Sequence, residues 1–112
     1  MQWNPINSIE QIEQIKEESK EQPVVIFKHS TTCSISATAK SRLERQWDDA
    51  GLGNVKPYYL DLLNYRPVSA EIAQSFEVKH ESPQLLFIKD GQCRYHGSHL
   101  GINLQEVKKL AS

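Results

Sequence analysis

The chain has 112 residues, with 13 basic and 14 acidic side chains and a formal net charge of −1. This length predicts a single domain, residues 1–112, that can bury a sufficient core without disulfides or metals. The near balance of charge argues against nucleic acid or an anionic membrane as a partner, and no apolar run approaches the roughly 20 residues of a membrane span.

The N-terminus, "MQWNPINSIEQIEQ", lacks the basic start and the apolar core of a signal peptide, so a cytoplasmic protein is expected, with a monomer as the default. An amphipathic helix is predicted over "SIEQIEQIKEES" (8–19), where Ser8 and Gln11 form a capping box. The run 24–27 is uninterruptedly apolar and β-branched or aromatic. That composition is typical of a strand buried on both faces of a parallel sheet.

A second helix and a second strand follow. From about Ser34 to Ala50, apolar residues recur at every fourth position, and "GLG" (51–53) supplies the stop. The segment "VKPYYLDL" (55–62) has the composition of a strand. Its Pro57 argues for a position at the sheet edge or for a late start of the strand.

The last third of the chain predicts a helix, a hairpin and a final helix. "RPVSAEIAQSFEV" (66–78) is helical, and Ser69 is the expected opening residue. "PQLLFIKD" (83–90) is a strand, whose Asp-Gly end signals a hairpin into "CRYHG" (93–97). Asn103 opens the last helix.

The predicted order of elements is α-β-α-β-α-β-β-α. The first βαβ unit requires a parallel, right-handed crossover, and the late hairpin adds an antiparallel edge. This order predicts an α/β fold, a thioredoxin-like three-layer α/β/α sandwich with a mixed central sheet. A ferredoxin-like fold fits less well, because it needs two βαβ halves rather than a terminal hairpin and helix.

Cys33 is the strongest candidate for a catalytic residue. It lies at a strand-to-helix junction, where the free amides and the positive end of the helix dipole favour thiolate over thiol. Only the thiolate attacks a disulfide. The alternative is a buried core cysteine, but the polar residues that precede Cys33 argue against it.

Ser36 stands where the second cysteine of a Cys-x-x-Cys site would be. Its hydroxyl cannot resolve a mixed disulfide, but one helical turn from Cys33 it is expected to donate a hydrogen bond to the thiolate. A Cys-x-x-Ser enzyme therefore needs an outside thiol to finish its cycle. The alternative is a serine that is only solvated on the first helical turn.

Pro83 follows a polar loop and immediately precedes an apolar strand. In a thioredoxin-like sheet, a cis-proline that faces the cysteine occupies this place. A cis Ser82–Pro83 bond would leave the backbone near Ser82 free to pair with an extended substrate.

Cys93 is the obvious alternative partner for Cys33, but its position argues against that role. The strand after Pro83 leads away from the cysteine end of the sheet, and about seven residues at roughly 3.3 Å each cover some 20 Å. A disulfide requires Cα atoms within about 7 Å. Cys93 is therefore expected to be a structural or bystander thiol.

The four histidines lack the paired Cys/His spacing of a structural zinc site, so no metal is expected. His29 and His80 precede Cys33 and Pro83 by three or four residues. Either could acidify Cys33 if it were protonated nearby, although a surface-loop histidine is an equally good interpretation of each.

Three segments, "FKHSTTCSIS", "HESPQLLFIKDGQ" and "SHLGIN", resemble together the monothiol bacilliredoxin family, and the likeness covers essentially the whole chain. The resemblance implies a thioredoxin-like fold and removal of bacillithiol from mixed disulfides on client proteins. Cys33 matches the family's active cysteine, Ser36 its serine and Pro83 its cis-proline. The family usually has proline where this chain has Ser34.

The resemblance also implies bacillithiol, or another low-molecular-weight thiol, as a co-substrate, with no tightly bound cofactor. Because bacillithiol carries a malate and an amine, a cationic neighbour is expected to help hold it, and Lys28 and Arg66 are the candidates. Two other functions stay open: a non-catalytic module that holds a peptide in the Pro83 groove, and a redox sensor in which modification of Cys33 is the signal.

Overall fold

A mixed five-stranded sheet forms the centre of the protein in the computed structural model, which describes residues 1–111. Its strands are β1 (Asn4–Pro5), β2 (Val24–His29), β3 (Lys56–Asp61), β4 (Gln84–Lys89) and β5 (Gln92–Ser98). The helices are α1 (Glu10–Glu18), α2 (Ser34–Trp47), α3 (Arg66–Phe76) and α4 (Leu104–Ala111), with a short 3-10 turn at His99–Gly101. Within this described part of the chain, no helix is long and apolar enough to cross a membrane.

The strand order is β1-β3-β2-β4-β5. β1, β3 and β2 are parallel, whereas β4 is antiparallel to β2 and β5 is antiparallel to β4. The mixed arrangement of β2 to β5 is the one predicted from the order of elements. It places β2 at the centre, with a hydrogen-bonded strand on each side.

The two faces of the sheet carry separate cores, which makes the three layers of the sandwich. One core joins Val24 and Ile26 of β2 to apolar side chains of α1 and α3. The other joins Val25 and Phe27 to α2 and α4. Since successive side chains of a strand point to opposite faces, the apolar run of β2 supplies both cores at once.

The strand β1 is absent from the sequence-based prediction, because two residues are too short for a recognisable pattern. It pairs with Tyr58 and Tyr59, so β3 is the second strand from the edge and not the edge itself. The backbone of Pro57 faces β1, at a position just beyond the residues that pair in the β1–β3 ladder, and proline is tolerated there. Its carbonyl accepts a hydrogen bond from Asn4 Nδ2.

The prediction that Ser69 opens the third helix is wrong. α3 begins three residues earlier, at Arg66, with Tyr65 as its N-cap and a proline in its first turn. Proline pre-sets the helical φ at that position and needs no N–H partner. Ser69 is instead a buried residue of the helix, and its N–H donates to the Tyr65 carbonyl at 3.1 Å.

Replacing Gly97 of β5 with Ala is expected to destabilise the protein by about 1–3 kcal/mol, the usual cost of overpacking. A Cβ at this position would lie 2.7 Å from the Tyr95 hydroxyl and 2.9 Å from the Gly101 carbonyl oxygen, so backbone must move. Gly53→Ala is the matched control, because a Cβ there meets no atom of the described residues within 4 Å. Urea unfolding of both variants measures the difference, and equal free energies of unfolding would contradict the prediction.

Candidate active site

Cys33 is the N-cap of α2. Its backbone is extended (φ −104°, ψ 121°), its side chain is partly exposed, and its thiol is free. The Cys33 carbonyl accepts the first helical hydrogen bond, from Ala37 N–H at 3.0 Å. Among the described residues, the amides of the next three positions bond no earlier carbonyl, and they lie at the positive end of the helix dipole beside Cys33.

Ser36 lies one turn further along α2 and is fully buried. Its Oγ is 2.6 Å from His29 Nδ1 and accepts a hydrogen bond from Ser30 N–H at 3.0 Å. The hydroxyl was expected to bind Cys33. In this structure it binds the end of β2 and the loop after it, because a side chain in the first turn of a helix leans back over the preceding segment.

His29, the last residue of β2, lies behind Ser36 and is buried. Its ring packs between Phe27 and Tyr59, at centroid distances of 5.9 and 5.7 Å. Burial, helped by the charge of Lys40, lowers the pKa of His29, against a smaller opposing effect of nearby carboxylates. The imidazole is therefore neutral at physiological pH and does not supply the positive charge considered above for acidifying Cys33.

The Ser82–Pro83 peptide bond is cis, as the position of Pro83 in the sequence suggested. Pro83 is buried immediately before β4, and its carbonyl accepts a hydrogen bond from His99 N–H at 3.0 Å. The Ser82 N–H and C=O make no hydrogen bond to any other part of the described chain. They are thus available to an extended segment of another molecule.

Lys28 was one of two candidate cations for holding the small thiol, and the structure buries it completely. Lys28 is the fifth of the six residues of β2, and its Nζ lies among protein atoms, 3.3 Å from the Ser69 carbonyl oxygen and 3.3 Å from His80 Nδ1. Burial lowers the pKa of Lys28 to about 8. Arg66, the other candidate, is exposed as the first residue of α3.

Cys93 lies at the far end of the β4–β5 hairpin from Pro83. It pairs with Ile88, whereas Gln84, next to Pro83, pairs with Ser98. The Cys93 thiol donates to the Tyr95 carbonyl at 3.2 Å, and burial raises its pKa, so it is a poor nucleophile. Among residues 1–111, no group of three or more His, Cys, Asp or Glu side chains could hold a metal ion.

An apolar cavity of about 160 Å³ along α2 is a feature that the sequence analysis did not identify. It lies between α2 and the segment 99–104, and its wall includes Ser34, the residue after the nucleophile. Ile35 and Leu100 border it and are 52% and 82% exposed. Ile35 belongs to the predicted helix, but only the packed structure shows that its side chain stays outside the core.

A thioredoxin-like sandwich, with one cysteine at the start of α2 and a cis-proline before β4, defines the class of thioredoxin-fold thiol redox proteins. Within that class, the chain belongs to the monothiol bacilliredoxin family, because the family model described as monothiol bacilliredoxin BrxC matches residues 4–107. The family has a thiol redox function with a low-molecular-weight thiol as substrate.

Solved structures agree with this assignment. A structure described as a candidate oxidoreductase with a thioredoxin fold is 32% identical, has a TM-score of 0.80, and is aligned over 96% of this chain and 92% of its own. A thioredoxin from Malassezia sympodialis is 21% identical, with a TM-score of 0.72 over 98% of this chain and 88% of its own. A thioredoxin from Trypanosoma brucei brucei is 19% identical, with a TM-score of 0.70 over 96% and 86%. These two thioredoxins share the fold alone.

Replacing Lys28 with Met is expected to change how stability depends on pH. The pKa of Lys28 falls from 10.5 to about 8 on folding, so between these values the unfolded chain binds a proton that the folded chain has lost. Stability therefore rises with pH in this window, whereas below pH 8 the full cost of burying the charge remains. The free energy of unfolding of the wild type minus that of Lys28→Met should increase by up to about 3 kcal/mol between pH 7 and pH 10.5.

Urea unfolding at intervals across this range measures the difference. Subtraction removes the contributions of Tyr58, Tyr59 and Cys93, whose pKa values are raised by burial and which are common to both proteins. The exposed Lys79 provides the control variant, Lys79→Met, for which the difference should stay flat. A flat difference for Lys28→Met as well would contradict the assigned burial of its charge.

Proposed function

We propose that this protein is a monothiol thiol–disulfide oxidoreductase that removes bacillithiol from mixed disulfides on client proteins, with Cys33 as the nucleophile. The observation that carries the proposal is the pair at the start of α2: a free, partly exposed thiol at the N-cap, and a buried serine hydroxyl where a resolving thiol would be. The reducing cytoplasm, where both cysteines stay thiols, is the proposed site of action, and the monomer is the proposed active form.

In the first step, the Cys33 thiolate attacks the bacillithiol sulfur of a client–bacillithiol disulfide. The bond between this sulfur and the client sulfur breaks, and the client leaves as a thiolate that takes a proton from water. Cys33 then carries bacillithiol in a new mixed disulfide. One disulfide bond is exchanged for another, so no electron acceptor is needed.

The second step requires another molecule of a low-molecular-weight thiol. Its thiolate attacks the sulfur of the bacillithiol bound to Cys33, forms a small symmetrical or mixed disulfide, and releases the Cys33 thiolate. Ser36 cannot take this role, because an alcohol does not resolve a disulfide. Its hydroxyl is also engaged by His29 and by the Ser30 amide, so it holds the start of α2 against the end of β2.

The client and the small thiol bind to different parts of the proposed site. The unbonded Ser82 backbone next to Pro83 supports pairing with an extended client segment, in the manner of an added strand. Arg66, exposed at the start of α3, supports binding of the malate of bacillithiol, and the buried charge of Lys28 adds to the positive potential there.

Cys33→Ala is expected to abolish catalysed release of thiol from a bacillithiolated client, leaving only the uncatalysed rate with free bacillithiol. Without a sulfur at the N-cap, no mixed disulfide can form on the enzyme. Release of the client thiol is followed by thiol-specific labelling and mass spectrometry, with Cys93→Ala as the matched cysteine control that keeps its activity. Equal release by the wild type and Cys33→Ala would refute the catalytic proposal and favour a module that only binds its partner.

Ser36→Cys is expected to remove the need for the second small thiol. Position 36 is three residues, about one helical turn, after Cys33, and a disulfide requires Cα atoms within about 7 Å. In a single turnover without added thiol, the wild type should accumulate the Cys33–bacillithiol adduct, whereas the variant should end as a 33–36 disulfide.

Intact-protein mass spectrometry distinguishes these products of the single turnover. Ser41→Cys, which places a thiol on the exposed surface two turns along α2, is the control and should behave as the wild type. An adduct that persists in Ser36→Cys would show that the third position of the helix is not the resolving position in this fold.

A further inference from the structure

His80 is a residue that the proposed mechanism does not use, yet its ring is held in one defined state. Lys28 Nζ lies 3.3 Å from His80 Nδ1. An ammonium group has only donors, so Nδ1 must accept this hydrogen bond. In a neutral imidazole, the single proton then resides on Nε2.

A second contact holds the same edge of the ring. The Ser69 hydroxyl is 3.3 Å from His80 Nδ1, and the Ser69 carbonyl accepts a hydrogen bond from Lys28 Nζ at 3.3 Å. Lys28 and Ser69 are both buried, whereas His80 is exposed. The Nδ1 edge therefore faces the protein, and the remaining part of the ring faces solvent.

The chain topology brings this ring to the end of the sheet where Cys33 lies. Lys28 is the residue before the last in β2, and Cys33 follows that strand after a short loop. Lys28 pairs with Gln84, at the start of the antiparallel β4, directly after Ser82 and Pro83. The segment from His80 to Pro83 thus lies at the C-terminal end of β2, the end that presents the nucleophile.

The charges around His80 favour an anionic ligand. Lys28 and Arg66 both act on it as positive charges, and the start of α3 adds the positive end of its dipole. Glu81 is a negative charge that acts on His80, and its carboxylate accepts a hydrogen bond from the Ser98 hydroxyl. A neutral N–H donor in positive surroundings is suited to a carboxylate acceptor.

We propose that His80 is a specificity-determining residue of the active site, whose Nε2–H donates a hydrogen bond to a carboxylate of the small thiol, and that Lys28 is the positioning residue that fixes its tautomer. The inference rests on the proposed function, since it concerns the substrate of that same site. It also gives the buried Lys28 a role, because burial holds the ammonium beside His80 Nδ1, to which it can act only as a donor.

The protonation state agrees with this role. Burial is the main cause that lowers the pKa of His80, followed by the charges of Lys28 and Arg66, with Glu81 opposing them. His80 is therefore neutral at pH 7 and keeps one donor and one acceptor. His80 takes up no proton during the proposed disulfide exchange, which proceeds at Cys33.

The kinetic test uses two symmetrical disulfides that differ in their end groups: 3,3′-dithiodipropionate, which carries carboxylates, and 2-hydroxyethyl disulfide, which does not. The Cys33 thiolate attacks one sulfur of either reagent, forming the Cys33 mixed disulfide and expelling one thiolate. The rate is followed by the mass of the adduct. His80→Asn keeps an acceptor near the position of Nδ1, and His80→Gln restores a donor near that of Nε2.

His80→Asn should slow the reaction with dithiodipropionate by roughly ten- to a hundredfold, the loss expected for one hydrogen bond to a charged group. Its rate with 2-hydroxyethyl disulfide should stay within about twofold of the wild type, and His80→Gln should recover most of the carboxylate preference. Equal loss with both disulfides would overturn the assigned specificity and reduce His80 to a structural residue.

The tautomer is tested separately by long-range ¹H–¹⁵N NMR of the wild type and of Lys28→Met at pH 7. The wild type should show His80 protonated on Nε2 alone, and Lys28→Met should show a mixture of tautomers. A wild-type His80 protonated on Nδ1, or on both nitrogens, would overturn the proposal.

Neither the kinetic test nor the NMR test uses a bacillithiolated client. If the wild type failed to release thiol from a bacillithiolated client, the proposed function would fall while the carboxylate preference could still be measured. If client release succeeded but His80→Asn kept the carboxylate preference, the inference about His80 would fall and the proposed function would stand.

Discussion

The complete burial of β2 is the constraint on which the rest of the structure depends. Every residue from Val24 to His29 is buried, and the strand has a hydrogen-bonded neighbour on each side. Its apolar part supplies both cores. Its last two residues, Lys28 and His29, are polar and point to opposite faces, so each requires a partner on its own side of the sheet.

Those partners shape the active site. On the α2 face, His29 binds Ser36 and so fixes the first turn of the helix that begins at Cys33. On the α3 face, Lys28 binds the Ser69 carbonyl and His80, the residue that leads into the Ser82–Pro83 segment. Two buried polar residues at the end of one strand therefore hold the helix that begins at Cys33 and the opposite loop in place.

The serine at position 36, in place of a second active-site cysteine, has a structural role in this arrangement. A hydroxyl at position 36 accepts a hydrogen bond from a backbone amide and pairs with an imidazole at 2.6 Å. A thiol is a weaker acceptor and would make poorer bonds to both groups. Ser36 thus stabilises the start of α2, although its hydroxyl cannot resolve a mixed disulfide on Cys33. This is consistent with a cycle completed by a thiol from solution.

Local patterns were sufficient to predict most of the fold, because each depends on neighbours in the sequence. The apolar run of β2, the four-residue spacing in α2 and the Asp-Gly turn before β5 all predicted their elements correctly. The prediction missed the strand β1 and misplaced the start of α3. The two residues of β1 are too few to show a periodicity. The first turn of α3 contains a proline, and the residue before the helix is not the serine that usually caps one.

The sequence by itself determined the class of fold, the place of Cys33 at a helix start and the position of the proline before β4. Only the tertiary structure decided what the polar side chains around them do. Lys28 and His80 are 52 residues apart, and their contact depends on how β2, α3 and the loop before β4 pack together. From the sequence alone, a charged residue in a strand is expected to lie at the surface. Whether it is buried depends on the layers that cover both faces of the sheet, because burial is a property of the packed sheet and not of the residue.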